Sequence, residues 1–228
     1  MTAALGRTWV IVPAYNEATV VADVVHSLRV SFPNVVVVDD GSVDDTANVA
    51  AAAGAHVLRH PVNLGQGAAL QTGFVYCTRR QAGFVVTFDA DGQHEVADVV
   101  RLLAALSARH LDVALGSRFI GHTIGMSLGR RSLLKAAVLF TRWTTGLKLT
   151  DAHNGLRAFT GAAAATIRLR HNRMAHASEI LEQIARHKLK FEEVGNTVRY
   201  TDYSRAKGQK ASNAIGIVLD LVARRMQK

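Results

Sequence analysis

The sequence predicts a doubly wound α/β fold, a mostly parallel sheet covered by helices on both faces. Three observations carry this. Apolar runs of strand length alternate with segments of helical spacing from Trp9 to Ser117. One of these runs, Val35-Val36-Val37-Val38, is apolar at every position, as expected of a strand buried on both faces. Three polar clusters each follow such a run: Pro13-Ala14-Tyr15-Asn16-Glu17, Asp39-Asp40-Gly41-Ser42 and Asp89-Ala90-Asp91-Gly92-Gln93-His94. Open sheets of this kind bind ligands beyond the carboxyl ends of their strands.

The elements follow in order. Trp9–Pro13 is a short apolar run closed by proline and reads as the first strand. Ala18–Val30 places Val21, Val24, Val25 and Leu28 at helical spacing. Val35–Val38 is the second strand, and a helix over Asp44–Ala53 takes Ser42 or Asp44 as its cap. Ala55–Leu58 is a third strand, Gly65–Arg80 a helix, and Phe84–Phe88 a fourth strand. Glu95–Ala108 is a helix and Asp112–Ser117 a fifth strand. The alternation ends after Arg118. Ser132–Leu147 reads as an amphipathic helix, Asp151–Phe159 as a polar and aromatic segment, and Ala177–His187 as a helix. Phe191–Tyr200 alternates like an antiparallel strand, and Ala211–Met226 is a last helix. No break in composition divides the chain, so residues 1–228 are expected to form one domain, with a change of character near residue 118.

Hydrophobic residues make up 49% and charged residues 20% of the 228, enough to build a substantial core. A single cysteine, Cys77, forms no internal disulfide and fits a reducing compartment, where it is expected to be a small buried side chain. The residues before Trp9 do not read as a signal peptide. The longest stretch without acidic or basic residues, Pro61–Thr78, carries glycines, an asparagine and two glutamines and does not read as a membrane span. The formal charge of +9 favours an anionic partner: nucleic acid, anionic lipid or a phosphorylated substrate. Nucleic acid is disfavoured, because acids mark the strand ends and no nucleic-acid motif appears.

Asp89 and Asp91 stand one residue apart at a strand end, where both can face one hard cation. Mg²⁺ and Mn²⁺ are held by one or two carboxylates together with substrate phosphates. A plain acidic turn is the alternative. Asp40 can accept a hydrogen bond from a ribose or base, or cap the following helix. Asn63-Leu64-Gly65-Gln66-Gly67 precedes a helix and allows close backbone approach to an anion, but it is neither a Rossmann fingerprint nor a P-loop. Between Val113 and Thr150 there is no acid, while Arg118, Arg130, Arg131, Lys135, Arg142 and Lys148 are present. A basic segment beside an acidic metal site suits the joining of two anionic substrates; the alternative is a solvated basic helix face.

Six motifs occur in one order: Pro13-Ala-Tyr-Asn-Glu17, Asp39-Asp-Gly-Ser42 with Asp45-Thr46, Asn63-x-Gly-x-Gly-x-Ala69, Asp89-Ala-Asp-Gly-Gln-His94, Gly116-Ser-Arg118 and Asp151-Ala-His-Asn-Gly-Leu-Arg157. Together, over Trp9 to Lys210, they resemble the family 2 inverting glycosyltransferases of the GT-A fold, and within these the dolichyl- or polyprenyl-phosphate sugar synthases. The resemblance implies a Rossmann-like sheet with a small antiparallel part in the C-terminal half. Residues 1–118 would bind the nucleotide sugar and residues 119–228 the acceptor. Pro13, Tyr15, Glu17 and Asp40 would hold the nucleoside, with Gln66 and Ala90 lining the same nucleotide site. Asp89 and Asp91 would hold Mg²⁺ or Mn²⁺, assisted by Gln93. Arg118 and Arg131 would meet the acceptor phosphate, and Arg205, Lys207 and Lys210 would lie on a loop closing over the diphosphate. Two positions depart from the pattern: Gln66 stands where many relatives carry lysine, and Val96 replaces a proline.

The implied reaction takes a sugar from a nucleotide diphosphate, UDP favoured and GDP-mannose open, and places it on a polyprenyl phosphate with inversion. N-acetylgalactosamine or glucose is the expected sugar. The alternative is a soluble hydroxyl acceptor. A phosphate acceptor is already ionised at neutral pH, so Asp151 is expected to orient the donor sugar or nearby arginines rather than act as a base. His94 would contact the ion or a phosphate, or support the site by a hydrogen bond, and His153 and Asn154 would line the sugar pocket. Glu179 and Glu182 read as surface or pairing acids. Leu133, Ala136, Ala137, Phe140, Trp143 and Leu147 fall at helical spacing and either lie in a membrane interface or pack on the sheet. The last helix, with Ile215, Val218, Leu219 and Val222, packs, meets lipid or dimerises. The expected setting is the cytoplasmic face of a membrane, peripherally bound.

Overall fold

A computed structural model describes residues 5–172 and 175–200. Seven strands form one sheet: β1 (Thr8–Ala14), β2 (Asn34–Asp39), β3 (His56–Arg59), β4 (Phe84–Thr87), β5 (Val113–Ile124), β6 (Arg157–Thr160) and β7 (Phe191–Arg199), in the order β3-β2-β1-β4-β6-β5-β7. Helices α1 (Val21–Arg29), α2 (Thr46–Ala52), α3 (Gln66–Arg79), α4 (Val96–Arg109), α5 (Leu128–Thr145), α6 (Gly161–Thr166) and α7 (His176–Arg186) cover it.

Successive side chains of a strand point to opposite faces, and here both faces are buried. Val10, Val12, Val35 and Val37 meet Val21, Val25 and Leu28 of α1 and Leu102 and Leu106 of α4. Ile11, Val36 and Val38 meet Leu70, Phe74 and Cys77 of α3 and Ile180 and Ile184 of α7. This two-sided burial is the reason for the unbroken valine run. Phe74 and Phe159 stack edge-on at 5.3 Å between centroids. Gly73 lets α3 lie directly on β1, since a Cβ there would fall 2.4 Å from Ile11 Cγ2.

The pairings make β6 the one reversed strand. It is antiparallel to both β4 and β5, while the other pairs are parallel. The carboxyl ends of β1, β2, β4, β5 and β7 therefore share one edge of the sheet. The amino end of β6 comes to that same edge and brings residues 151–157 with it. The strand order turns back between β1 and β4, which is where such sheets open a crevice.

Several expectations are corrected. Phe191–Arg199 pairs parallel with β5, not antiparallel; alternation along a strand carries no information on its direction. The antiparallel part comes from Asp151–Phe159, whose end forms β6. β5 runs on through an irregularity between Ser117 and His122 to Ile124. The α5 helix begins at Leu128, capped by Ser127 Oγ, which accepts the Arg130 N–H. Neither Ser42 nor Asp44 is the cap of α2: Asp45 stands at that position and makes no side-chain cap bond, while Ser42 Oγ accepts the Asn16 N–H and Asp44 Oδ1 accepts the Thr46 N–H from one residue further out. Glu179 is not a surface acid. It is buried and accepts the backbone N–H groups of Arg170 and His171. Cys77 is buried. Among the described residues no helix is long and apolar enough to cross a membrane. The expected last helix lies outside the described residues.

Candidate active site

The crevice is built from loops that brace one another. After β1, Asn16 adopts a positive φ of 53°, a region open to asparagine. Its Oδ1 accepts the Val43 N–H, and the Glu17 N–H donates to Thr46 Oγ1 at 2.8 Å. These bonds tie the first polar cluster to the second. Pro13 lies beyond the last β1–β4 pair, Ile11 with Thr87, so β4 no longer runs beside it. Tyr15 is exposed at the rim, and Glu17 is buried.

Asp40 is buried and surrounded by donors. Its Oδ1 accepts the Leu64 N–H at 3.0 Å and faces His60 Nδ1 at 2.8 Å, and its Oδ2 accepts the Gly65 N–H at 2.7 Å. The other ring nitrogen of His60 meets Thr72 Oγ1 at 2.9 Å. Asp40 thus fixes the start of α3. Gln66, the first residue of that helix, reaches across and donates its Nε2 to Asp89 Oδ1 at 3.1 Å. His60 was not legible as a site residue, because nothing near it in sequence signals its partner twenty positions earlier.

Asp89 and Asp91 leave the end of β4. His94 Nε2 lies 3.3 Å from Asp89 Oδ2, and Asp91 Oδ1 accepts the Gln93 N–H at 3.1 Å. Ala90 between them is buried. A bridge from His94 to Val198 and the Arg199 N–H on Gln93 O pin this loop to the end of β7. Gly155 packs against it so closely that a Cβ there would lie 2.0 Å from Asp89 Oδ2. Burial raises the Asp89 carboxyl, but the His94 hydrogen bond and the charges of His94, Arg157 and His176 outweigh it and hold the group below its ordinary value. Asp91 is pushed up to about 6 by burial and by the charge of Asp89, with Glu17 adding to the rise. A carboxylate whose proton affinity is raised by an ionised neighbour beside it is a fitting seat for a divalent cation. Among the described residues no cluster of three or more His, Cys, Asp and Glu could hold a metal ion; an ion that also takes phosphate oxygens needs only one or two carboxylates.

On the other side of the crevice, Arg118 and Asp151 form a buried ion pair, Nε to Oδ2 at 2.7 Å. The same oxygen accepts the Arg118 backbone N–H at 3.1 Å and Asn154 Nδ2 at 3.3 Å. Arg118 also donates through Nη1 to Tyr200 Oη at 2.8 Å and through Nη2 to His153 O. Arg130 lies over the Tyr200 ring, 4.8 Å from its centroid. Glu193 of β7 accepts the N–H groups of Thr150 and Asp151 and is itself raised by burial. Asn154 Nδ2 also donates to Asn196 Oδ1 at 2.8 Å, and Asn196 Nδ2 lies 3.4 Å from His94 Nδ1. A continuous polar chain thus joins the Asp89 loop to the Arg118 pair. Burial and the Arg157 charge lower the His153 imidazole to about 4, leaving it neutral at physiological pH.

The structure therefore brings together Glu17, Gln66, Asp89, Asp91, Arg118 and Asp151. Arg131 is exposed on the first turn of α5, next to the Arg130 that lies over Tyr200. Arg205, Lys207 and Lys210 lie outside the described residues. His60, Asn196 and Tyr200 join the site without having been singled out in the sequence, and Gly155 and Arg157 join it as members of the sixth motif to which no role was assigned.

Residues 9–165 match the sequence profile described as glycosyl transferase family 2. An uncharacterised protein of Methanocaldococcus jannaschii is 35% identical over 96% of this chain and 91% of its own length. A UDP-N-acetylglucosamine–dolichyl-phosphate N-acetylglucosaminyltransferase of Methanococcus voltae is 29% identical over 96% of each chain. Among solved structures, glucosyl-3-phosphoglycerate synthase from Mycobacterium tuberculosis in complex with Mn²⁺ and UDP-glucose superposes with a TM-score of 0.74 at 20% identity, covering 99% of this chain and 80% of that one.

Proposed function

The chain belongs to glycosyltransferase family 2, and from that premise we propose that it moves a sugar from a nucleoside diphosphate sugar to a polyprenyl-type phosphate with inversion at C1. The observation that carries the phosphate acceptor is the state of Asp151. Its side chain is withdrawn from solvent, its Oδ2 holds three donors and its Oδ1 faces the His153 N–H. Such a carboxylate is poorly placed to take a proton from an acceptor hydroxyl. A phosphate monoester arrives already ionised, with a second pKa of about 6, and needs no base. Its oxygen attacks C1 opposite the diphosphate, the C1–O bond to the diphosphate breaks, and the electron pair leaves with the diphosphate.

Asp89 and Asp91 would hold Mg²⁺ or Mn²⁺, which offsets charge on the departing diphosphate. Gln66 and His94 keep Asp89 in place. Tyr15, Glu17 and the Asp40 loop bind the nucleoside, and Asp151 orients Arg118 toward the acceptor side. A uridine donor is favoured by the Methanococcus voltae relative, whose name carries UDP-N-acetylglucosamine. That relative's dolichyl-phosphate acceptor supports the lipid reading. Helix α5 supports it too: Leu128, Leu139 and Trp143 are exposed beside Arg131, Lys135 and Arg142, a surface suited to an anionic membrane face. Leu133 and Phe140 are only half-buried, so the helix offers one side to the protein and one outward.

The test is transfer of labelled sugar from a UDP-sugar to polyprenyl phosphate, followed by phase extraction. Label is expected in the organic phase. Asp151→Asn should retain activity within about tenfold, because amide and carboxylate both accept from Arg118. A base-dependent enzyme would lose roughly 10²- to 10⁴-fold. Such a loss with the fold intact, or label transferred only to a soluble sugar, would contradict the proposal.

A further inference from the structure

Arg157 opens β6 opposite Thr87 and Leu115. It shares the sheet face of Phe159, toward α3 and α7. The reversal of β6 delivers it between the Asp89 loop and the Arg118–Asp151 pair. It is 3% exposed, yet among the described residues its guanidinium donates no side-chain hydrogen bond and forms no ion pair. The nearby carboxylates act on it only at longer range, Asp89 and Asp151 favouring its charge and Arg118 opposing it. Both are already engaged, Asp89 with Gln66 and His94, Asp151 with Arg118 and Asn154. Burial lowers the guanidinium to about 10, so it remains a cation at neutral pH.

Arg157 carries a guanidinium with five donors and no acceptor, and its nitrogens keep slight contact with solvent, since among the described residues only Asp39 Oδ2 is a buried side-chain nitrogen or oxygen without a hydrogen-bond partner. The fold holds this guanidinium at the point where the two substrates of the proposed reaction would meet. Planar paired donors suit phosphoryl oxygens. We propose that Arg157 is a substrate-binding residue whose fork closes on a phosphoryl oxygen between Asp89 and Arg118. This rests on the reading of the site given under Proposed function. The phosphoryl group belongs to the leaving diphosphate or to the acceptor monophosphate, and the two sources separate by experiment.

The full chain is titrated calorimetrically with Mn²⁺ pyrophosphate and, separately, with farnesyl phosphate, as wild type, Arg157→Gln and Arg157→Lys. Arg157→Gln should weaken one of the two by roughly ten- to a hundredfold, the range of a charged hydrogen-bonded contact. Arg157→Lys should recover only part, since it restores charge without the fork. Loss confined to pyrophosphate assigns the donor side, and loss confined to farnesyl phosphate the acceptor side. Unchanged binding of both probes by a folded Arg157→Gln overturns the inference and leaves the proposed function standing. If Arg157→Gln does not fold, Arg157→Lys is read the same way. Unfolding of both variants shows a structural arginine and overturns the inference. Wild-type protein that binds neither probe overturns the inference together with the proposed function.

Discussion

Asp91→Asn is expected to lower the transfer rate on the order of a thousandfold, the scale of several kcal/mol of lost charge stabilisation, while the metal-free protein becomes no less stable at pH 7.5. Both halves come from one cause. Burial and the charge of Asp89 push Asp91 up to about 6 from an ordinary 3.8. Between those values the folded chain holds a proton that the unfolded chain has lost. Stability of the metal-free protein therefore falls as pH rises through that window, and at pH 7.5 the ionised Asp91 opposes folding. Asparagine removes that repulsion and with it the second carboxylate of the cation seat. Turnover with Mn²⁺ and melting in a chelator measure the two effects. In wild-type protein, Mn²⁺ affinity should also weaken as pH falls below about 6, because the proton competes for the same oxygen. A variant that melts many degrees lower in chelator would make Asp91 a structural residue.

Gly155→Ala should cost about a hundredfold in turnover, the scale on which a misplacement of about 1 Å acts, although no polar group is removed. The new Cβ would lie 2.0 Å from Asp89 Oδ2 and 2.5 Å from its Cγ. The backbone at 155 cannot easily retreat, because its carbonyl accepts the Thr87 hydroxyl at 2.6 Å. Asp89 must move instead, away from Gln66 and His94. Gly129→Ala is the matched control: a Cβ there meets open space on α5, and alanine should favour the helix by about 1 kcal/mol. Wild-type activity in Gly155→Ala would show that Asp89 is not held where the reaction needs it.

The first half of the fold was legible because β1, β2 and β4 are buried on both faces and the helices on one. Val35–Val38 and the Val21/Val24/Val25/Leu28 spacing each admit one reading. The strand ends were legible for the same reason: Asp39-Asp40 and Asp89-Ala90-Asp91 interrupt apolar runs abruptly. The second half was harder. β6 is four residues long and begins with a buried arginine, so no apolar period marks it. Its partners fix its direction, and no local pattern encodes that. β7 shows the converse, since its alternation is equally compatible with either direction. Arg157 and Asn196 owe their place in the site to these two strands, and their pairing was not legible in sequence. Gly155 was visible as a glycine, but the need for it comes from Asp89, sixty-six positions away.

Anomalous scattering at the manganese edge, from crystals grown with UDP and Mn²⁺, tests the central claim most directly. The account predicts a manganese peak about 2.1 Å from carboxylate oxygens of Asp89 and Asp91 and shared with the diphosphate, a spacing usual for such small hard cations. Bound UDP with no manganese between those two side chains, or manganese seated elsewhere on the chain, would contradict it.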